Sequence, residues 1–138
     1  MVLNDAVRQA LTEGHLAHLV TLNADGSPHV TVVWTGLEGD EIVCAHLGSF
    51  QKVKNIQRDP RVVLSMETGG QTHGLGHYLV ISGRARVTEG GAPQLLNQLA
   101  QTYIGPGTRF LSDTAPPGYI THITVERISG NGPWKEQR

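Results

Sequence analysis

The chain has 138 residues, of which 38% are hydrophobic and 17% charged, with a formal net charge of -1. A chain of this length buries roughly two thirds of its unfolded surface, enough for one domain spanning 1–138 with its own core. The charge excludes nucleic acid as a main partner, since neutralising phosphates needs a basic face. No apolar run approaches the roughly 18 residues of a membrane span. Asn4, Asp5 and Arg8 interrupt any signal-peptide-like start. Cys44 is the only cysteine, which excludes an internal disulfide framework and a cysteine-rich zinc site. The expectation is a cytoplasmic protein.

The chain opens with a helical segment over 4–13. Asn4 is its cap, Ala6, Val7, Ala10 and Leu11 form one face, and Gly14 stops it. Residues 15–23 read as a strand largely apolar on both faces, Leu16, His18, Val20 and Leu22 on one and Ala17, Leu19 and Thr21 on the other, so burial on both sides is expected. Residues 24–27 make a turn, 28–36 the returning strand and 41–47 a third strand. A short helix follows over 49–58, with Ser49 as N-cap and an apolar stripe of Phe50, Val53 and Ile56. Asp59-Pro60 ends it.

Strands are expected over 61–67, 77–89 and 119–129, with Gly83 marking a bulge or bend. Between the first two lies a glycine-rich loop, 69–76. A helix over 92–104 packs Leu95, Leu96, Leu99 and Tyr103, and 105–118 reads as loop with a helical turn. Six antiparallel strands and few helices predict a mainly β fold, a closed or split barrel.

Common catalytic motifs are absent. There is no Gly-x-Ser-x-Gly elbow, Walker loop or His-Glu-x-x-His, and Gly74-x-Gly76 lacks the third glycine of a dinucleotide fingerprint. No histidine pair has metal-ligand spacing, so no metal site is expected. The cations are more informative. None occurs between Arg8 and Lys52, and then Lys52, Lys54, Arg58 and Arg61 follow within ten residues. Lys52 and Asn55 lie three apart on a helix, on a face away from Phe50, Val53 and Ile56. With Ser49 and the free N–H groups of the helix start, they suit a phosphate. Spacing alone favours a solvated basic face.

Three strings carry a resemblance: TLNADGSPHVTVVW at 21–34, SFQKVKNIQRDPRVVLSME at 49–67 and YLVISGRARV at 78–87. Together they resemble the pyridoxamine 5'-phosphate oxidase-like FMN-binding split β-barrel superfamily. Its branch of small actinobacterial flavin- and deazaflavin-dependent oxidoreductases is the nearest in length and element order. The resemblance implies a six-stranded antiparallel split barrel that dimerises, with two cofactor sites between the subunits. It places the cofactor phosphate at Lys52 and Asn55 with Ser49 nearby. The ring lies along Val30, Thr31, Val32, Val33 and Trp34, and Tyr78 sits where the partner subunit's strand approaches it.

Within the resemblance, the cofactor is coenzyme F-420 or FMN. The extra cations Lys54, Arg58 and Arg61 favour the longer anionic tail of F-420. The implied activity is hydride transfer from reduced deazaflavin to an electron-poor small molecule of enone, quinone or tetrapyrrole type. The alternatives are FMN-dependent oxidoreduction and non-catalytic flavin or haem binding. No catalytic residue stands out. Solvent, Tyr78, His46 and His77 are the candidate proton sources, and Trp134 either covers the pocket or packs at the dimer seam.

Overall fold

The computed structural model describes residues 1–112 and 114–134. Its elements in chain order are α1 (Asp5–Thr12), β1 (Ala17–Leu22), β2 (Pro28–Val33), β3 (Gly36–Glu38), β4 (Glu41–His46), α2 (Gln51–Arg58), β5 (Arg61–Thr72), β6 (Leu75–Glu89), α3 (Ala92–Tyr103) and β7 (Tyr119–Asn131). The fold is mainly β. Seven strands form one antiparallel sheet in the order β2-β1-β5-β6-β7-β4-β3. Among the described residues, no helix is long and apolar enough to cross a membrane.

The sheet's two edges are β2 and β3, and only Trp34 and Thr35 separate them in the chain. Two linking residues reach no more than roughly 10 Å, so the sheet must roll until its edges meet. No ladder closes that seam, which makes the barrel split. One strand more than expected results, because the run 28–36 is not one strand: it leaves one edge at Trp34 and joins the other at Gly36. The corner is held from inside. Thr35 is buried, its N–H donates to Tyr103 Oη at 2.9 Å, and its hydroxyl donates to the Leu11 carbonyl at 2.9 Å. Tyr103 in turn donates to the His15 carbonyl at 2.7 Å. A corner with unsatisfied buried polar groups would be costly, and α1 and α3 supply its partners.

The barrel interior holds Ala17, Leu19, Val33, Ile42, Cys44, Leu64, Met66, Leu79, Ile81 and Ile123, and α1 plugs one end with Val7, Ala10 and Leu11. Asn4 caps α1 as expected, accepting the Val7 N–H at 2.9 Å. Trp134 is buried in the same core. Its indole N–H donates to the Tyr78 carbonyl, and its own carbonyl accepts from Asn4. It therefore packs within the protomer, against α1 and β6.

The expectation of a doubly buried β1 fails within one protomer. The inward face, Ala17, Leu19 and Thr21, is buried, while His18 is exposed and Val20 and Leu22 are half-covered. Beside them on β2, Val30 and Val32 are 56% and 52% exposed. The outer face of β2 and β1, with Val20, Leu22, Val30 and Val32, is thus an apolar surface with no layer over it among the described residues.

The expected loop over 69–76 is instead the end of a hairpin. β5 runs to Thr72 and β6 starts at Leu75, joined by His73 and Gly74, both at positive φ. Two consecutive positive-φ residues match the twist of paired strands. The register shifts between Glu67 and Gln71, where Gly69 and Gly70 also take positive φ. No helical turn forms over 105–118 among the described residues. Asn97 and Gln101 of α3 hold that segment, each amide both accepting an N–H and donating to a carbonyl, at Leu111 and at Gly107 and Thr108.

Candidate functional site

α2 begins one residue later than the sequence predicts. Its N-cap is Phe50, in extended conformation, with no side-chain cap. Ser49 lies outside the helix and is exposed, so the expected Ser49 cap does not form: a phenylalanine occupies the position and has no acceptor to offer. The first N–H groups of α2 have no intrahelical partner by construction, and no acid occupies the first turn. This end of the helix retains its positive character.

Lys52 stands in that first turn. It is half-buried, and its ammonium lies 5.6 Å from the centre of the Phe50 ring, a cation–π contact. It forms no ion pair among the described residues. Burial holds its pKa below the ordinary lysine range, with nearby Cys44 acting in the opposite direction. Two inward residues of β4 register the same environment. Burial raises the Cys44 thiol to about 12. Burial, then the Lys52 charge, lowers His46 to about 3. At about 3 His46 is held neutral, with Nε2 2.8 Å from Thr121 Oγ1.

Asn55 is placed elsewhere than its spacing predicts. It is fully buried, not on a solvent face with Lys52. Its amide donates to Thr21 Oγ1 and to Asn23 Oδ1, both at 3.0 Å, and accepts from Gln51 at 2.8 Å. That set ties α2 to the end of β1. Asn55→Ala is expected to lower the unfolding free energy by about 2–3 kcal/mol, because Thr21 and Asn23 lose a buried donor. Urea denaturation measures this; a loss below about 0.5 kcal/mol, typical of surface changes, would contradict the assignment.

The rest of the basic run divides. Lys54 is exposed. Arg58 donates to the Leu22 carbonyl on β1. Arg61 pairs through two nitrogens with Asp59, which its guanidinium holds at about 2, well below the usual carboxylate range.

The stretch 30–34 also divides. Val30 and Val32 face outward, whereas Thr31 and Val33 turn towards the barrel. Thr31 Oγ1 is buried with no hydrogen-bond partner. β2 is an edge strand bonded only to β1, so its other edge offers backbone donors and acceptors. Trp34 lies past the end of β2, stacked on Tyr103 at 5.0 Å and 13°, with Phe110 tilted against it at 5.2 Å. Phe110 escaped the sequence reading: no local pattern links residues 76 positions apart. Tyr78 is exposed on β6, opposite Glu67 of β5 and Asn131 of β7.

A rolled antiparallel sheet split between two edge strands, with an uncapped helix start that holds a lysine unpaired among the described residues, defines the class of split β-barrels. The chain belongs to the pyridoxamine 5'-phosphate oxidase family, whose model matches residues 3–132. It is 29% identical over 133 residues to an F420H(2)-dependent biliverdin reductase of Mycobacterium tuberculosis (strain CDC 1551 / Oshkosh), covering 94% of this chain and 88% of that protein. Among solved structures it is similar to an F420 reductase at TM-score 0.72 and 24% identity, covering 88% of this chain and 94% of that one. It is also similar to HupZ of Group A Streptococcus at TM-score 0.65 and 20% identity, covering 92% and 93%.

Proposed function

We propose that the protein is an F-420-dependent oxidoreductase, acting as a homodimer of single-domain protomers in the cytoplasm. The carrying observation is Lys52: an unpaired, half-buried ammonium at a helix start without cap or acid, in a chain 29% identical to an F-420-dependent reductase. A cation over free N–H groups fits a phosphate diester. When bound, the deazaflavin supplies a hydride to an electron-poor double bond of a small molecule.

The chain's own residues position and shield. Lys52, the first-turn N–H groups of α2 and exposed Ser49 hold the phosphate. The free edge of β2 from Val30 to Val33 meets the polar rim of the ring, and the Val30 and Val32 side chains lie against its face. Trp34, fixed by Tyr103 and Phe110, ends that track. A second protomer covers the apolar outer face of β1 and β2, excluding water and bringing its own Tyr78 region to the site that one protomer leaves open.

Titration of purified protein with F-420 and separately with FMN, followed by intrinsic fluorescence and paired with sedimentation equilibrium, tests this. A dimer that binds F-420 tightly and FMN weakly is the expected result. The reverse preference overturns the deazaflavin reading in favour of FMN, and binding of neither overturns cofactor use altogether.

A further inference from the structure

The chain has two tryptophans, and they differ in what becomes of the indole N–H. Trp134 is buried and donates its N–H to the Tyr78 carbonyl at 3.0 Å. Trp34 is half-buried, and its N–H has no acceptor among the described residues. A tryptophan that serves packing usually engages that donor within the protein. Trp34 directly follows β2, an edge strand with one side unpaired in the sheet. Its free donor therefore stands next to a row of free backbone donors and acceptors.

The indole is nevertheless fixed. Tyr103 of α3 stacks on it, with ring centres 5.0 Å apart and planes 13° from parallel. Phe110 leans on it at 5.2 Å and 51°. Phe110 itself lies in a segment that α3 fixes on both sides. Gln101 bonds the backbone at Gly107 and Thr108, and Asn97 bonds both backbone groups of Leu111. The two amides lie four apart, on one face of the helix. Thus α3 supports both aromatic neighbours of Trp34.

Tyr103 has two separable parts. Its hydroxyl accepts the Thr35 N–H at 2.9 Å and donates to the His15 carbonyl at 2.7 Å. Those bonds belong to the barrel corner and do not involve the ring face. Aromatic pairs have preferred geometries, so the stack sets the indole plane and with it the direction of the N–H. We infer that Tyr103 is a positioning residue for the cofactor proposed above: its ring aims the Trp34 indole N–H at an acceptor on the rim of the bound ring system, while its hydroxyl serves the corner. The inference rests on that proposal for the identity of the ligand. A hydrogen bond weakens steeply off its preferred angle, and a donor set in advance spares the complex the ordering of a free side chain.

The test measures F-420 affinity by equilibrium dialysis and stability by urea unfolding. Trp34→Phe keeps an aromatic ring and removes the donor. It is expected to weaken F-420 binding by about 5- to 10-fold, the worth of one hydrogen bond. Tyr103→Leu removes the stack and should show a loss of the same size. Tyr103→Phe keeps the stack without the hydroxyl. It should lose stability yet bind F-420 within about 2-fold of the wild type. In the Trp34→Phe/Tyr103→Leu double variant the losses do not add, because Tyr103 acts through the donor already removed. Equal losses in Tyr103→Phe and Tyr103→Leu, or additive losses in the double variant, overturn the inference, since Tyr103 would then act through the fold. Wild-type affinity in Trp34→Phe or in Tyr103→Leu overturns it as well, and the first of these decides even where Tyr103→Leu does not fold. A wild type that fails to bind F-420 overturns the proposed function and the inference together. A wild type that binds, with any of the contrary variant results, removes the inference alone.

Discussion

Lys52→Met is expected to weaken F-420 binding by about 30- to 100-fold, the loss of a charge-assisted contact of about 2–3 kcal/mol. Thermal stability is not expected to fall. The ammonium is half-buried without an ion-pair partner among the described residues, so the fold bears a desolvation cost to keep it there. Methionine keeps an unbranched apolar side chain there and removes that cost. A variant that binds F-420 as the wild type does would remove Lys52 from the site. A variant with a lower Tm would make the lysine structural.

The pH dependence follows from the same burial. Lys52 titrates below the ordinary lysine range, and only its charged form attracts phosphate. Affinity in the wild type should therefore decline with rising pH sooner than an exposed lysine would allow. The difference between wild type and Lys52→Met isolates this effect, because other titrations are common to both. His46 adds nothing to the profile: held at about 3, it stays neutral throughout.

Gly83→Ala is expected to cost about 3–5 kcal/mol, a large share of the stability of a domain this size. A Cβ built on Gly83 lies 2.2 Å from the Thr124 carbonyl oxygen and 3.3 Å from an Ile123 methyl. The obstacle is backbone in the middle of the sheet, which cannot rotate away as a side chain would. Relief requires separating β6 from β7 where their register shifts. Gly76→Ala is the control: it lies in the same strand, without positive φ, and a Cβ there meets nothing within 4 Å. Urea unfolding of both variants should show the large loss for position 83 alone. Equal losses would mean that the close approach at position 83 does not set the cost, since replacing glycine by alanine at an unstrained site is otherwise favourable.

Much of the architecture was legible in local patterns. Alternation marked the strands and capping chemistry marked α1, because these depend on neighbours two to four positions away. Gly83 could be read as a bend, since a lone glycine in a strand has few other uses. The break at Trp34–Thr35 was not legible: β-branched residues favour a strand through it, and only rolling of the sheet forces the chain to change edges there. Local spacing likewise put Asn55 beside Lys52 on a solvent face. Its real partners, Thr21 and Asn23, lie more than thirty residues away.

The candidate site divides the same way. By itself, the sequence determined the family, the short basic helix and the lysine at its start, because these are contiguous motifs. The tertiary structure alone decided which polar groups remain free to bind. Folding engages Asn55 and Arg58 with β1 and Arg61 with Asp59, and among the described residues it leaves Lys52 without a carboxylate. It also stacks Tyr103 of α3 on Trp34 and leaves that indole N–H without an acceptor among the described residues. Availability is a property of what surrounds a group once hydrogen bonds across the barrel are made, and no spacing along the chain encodes it.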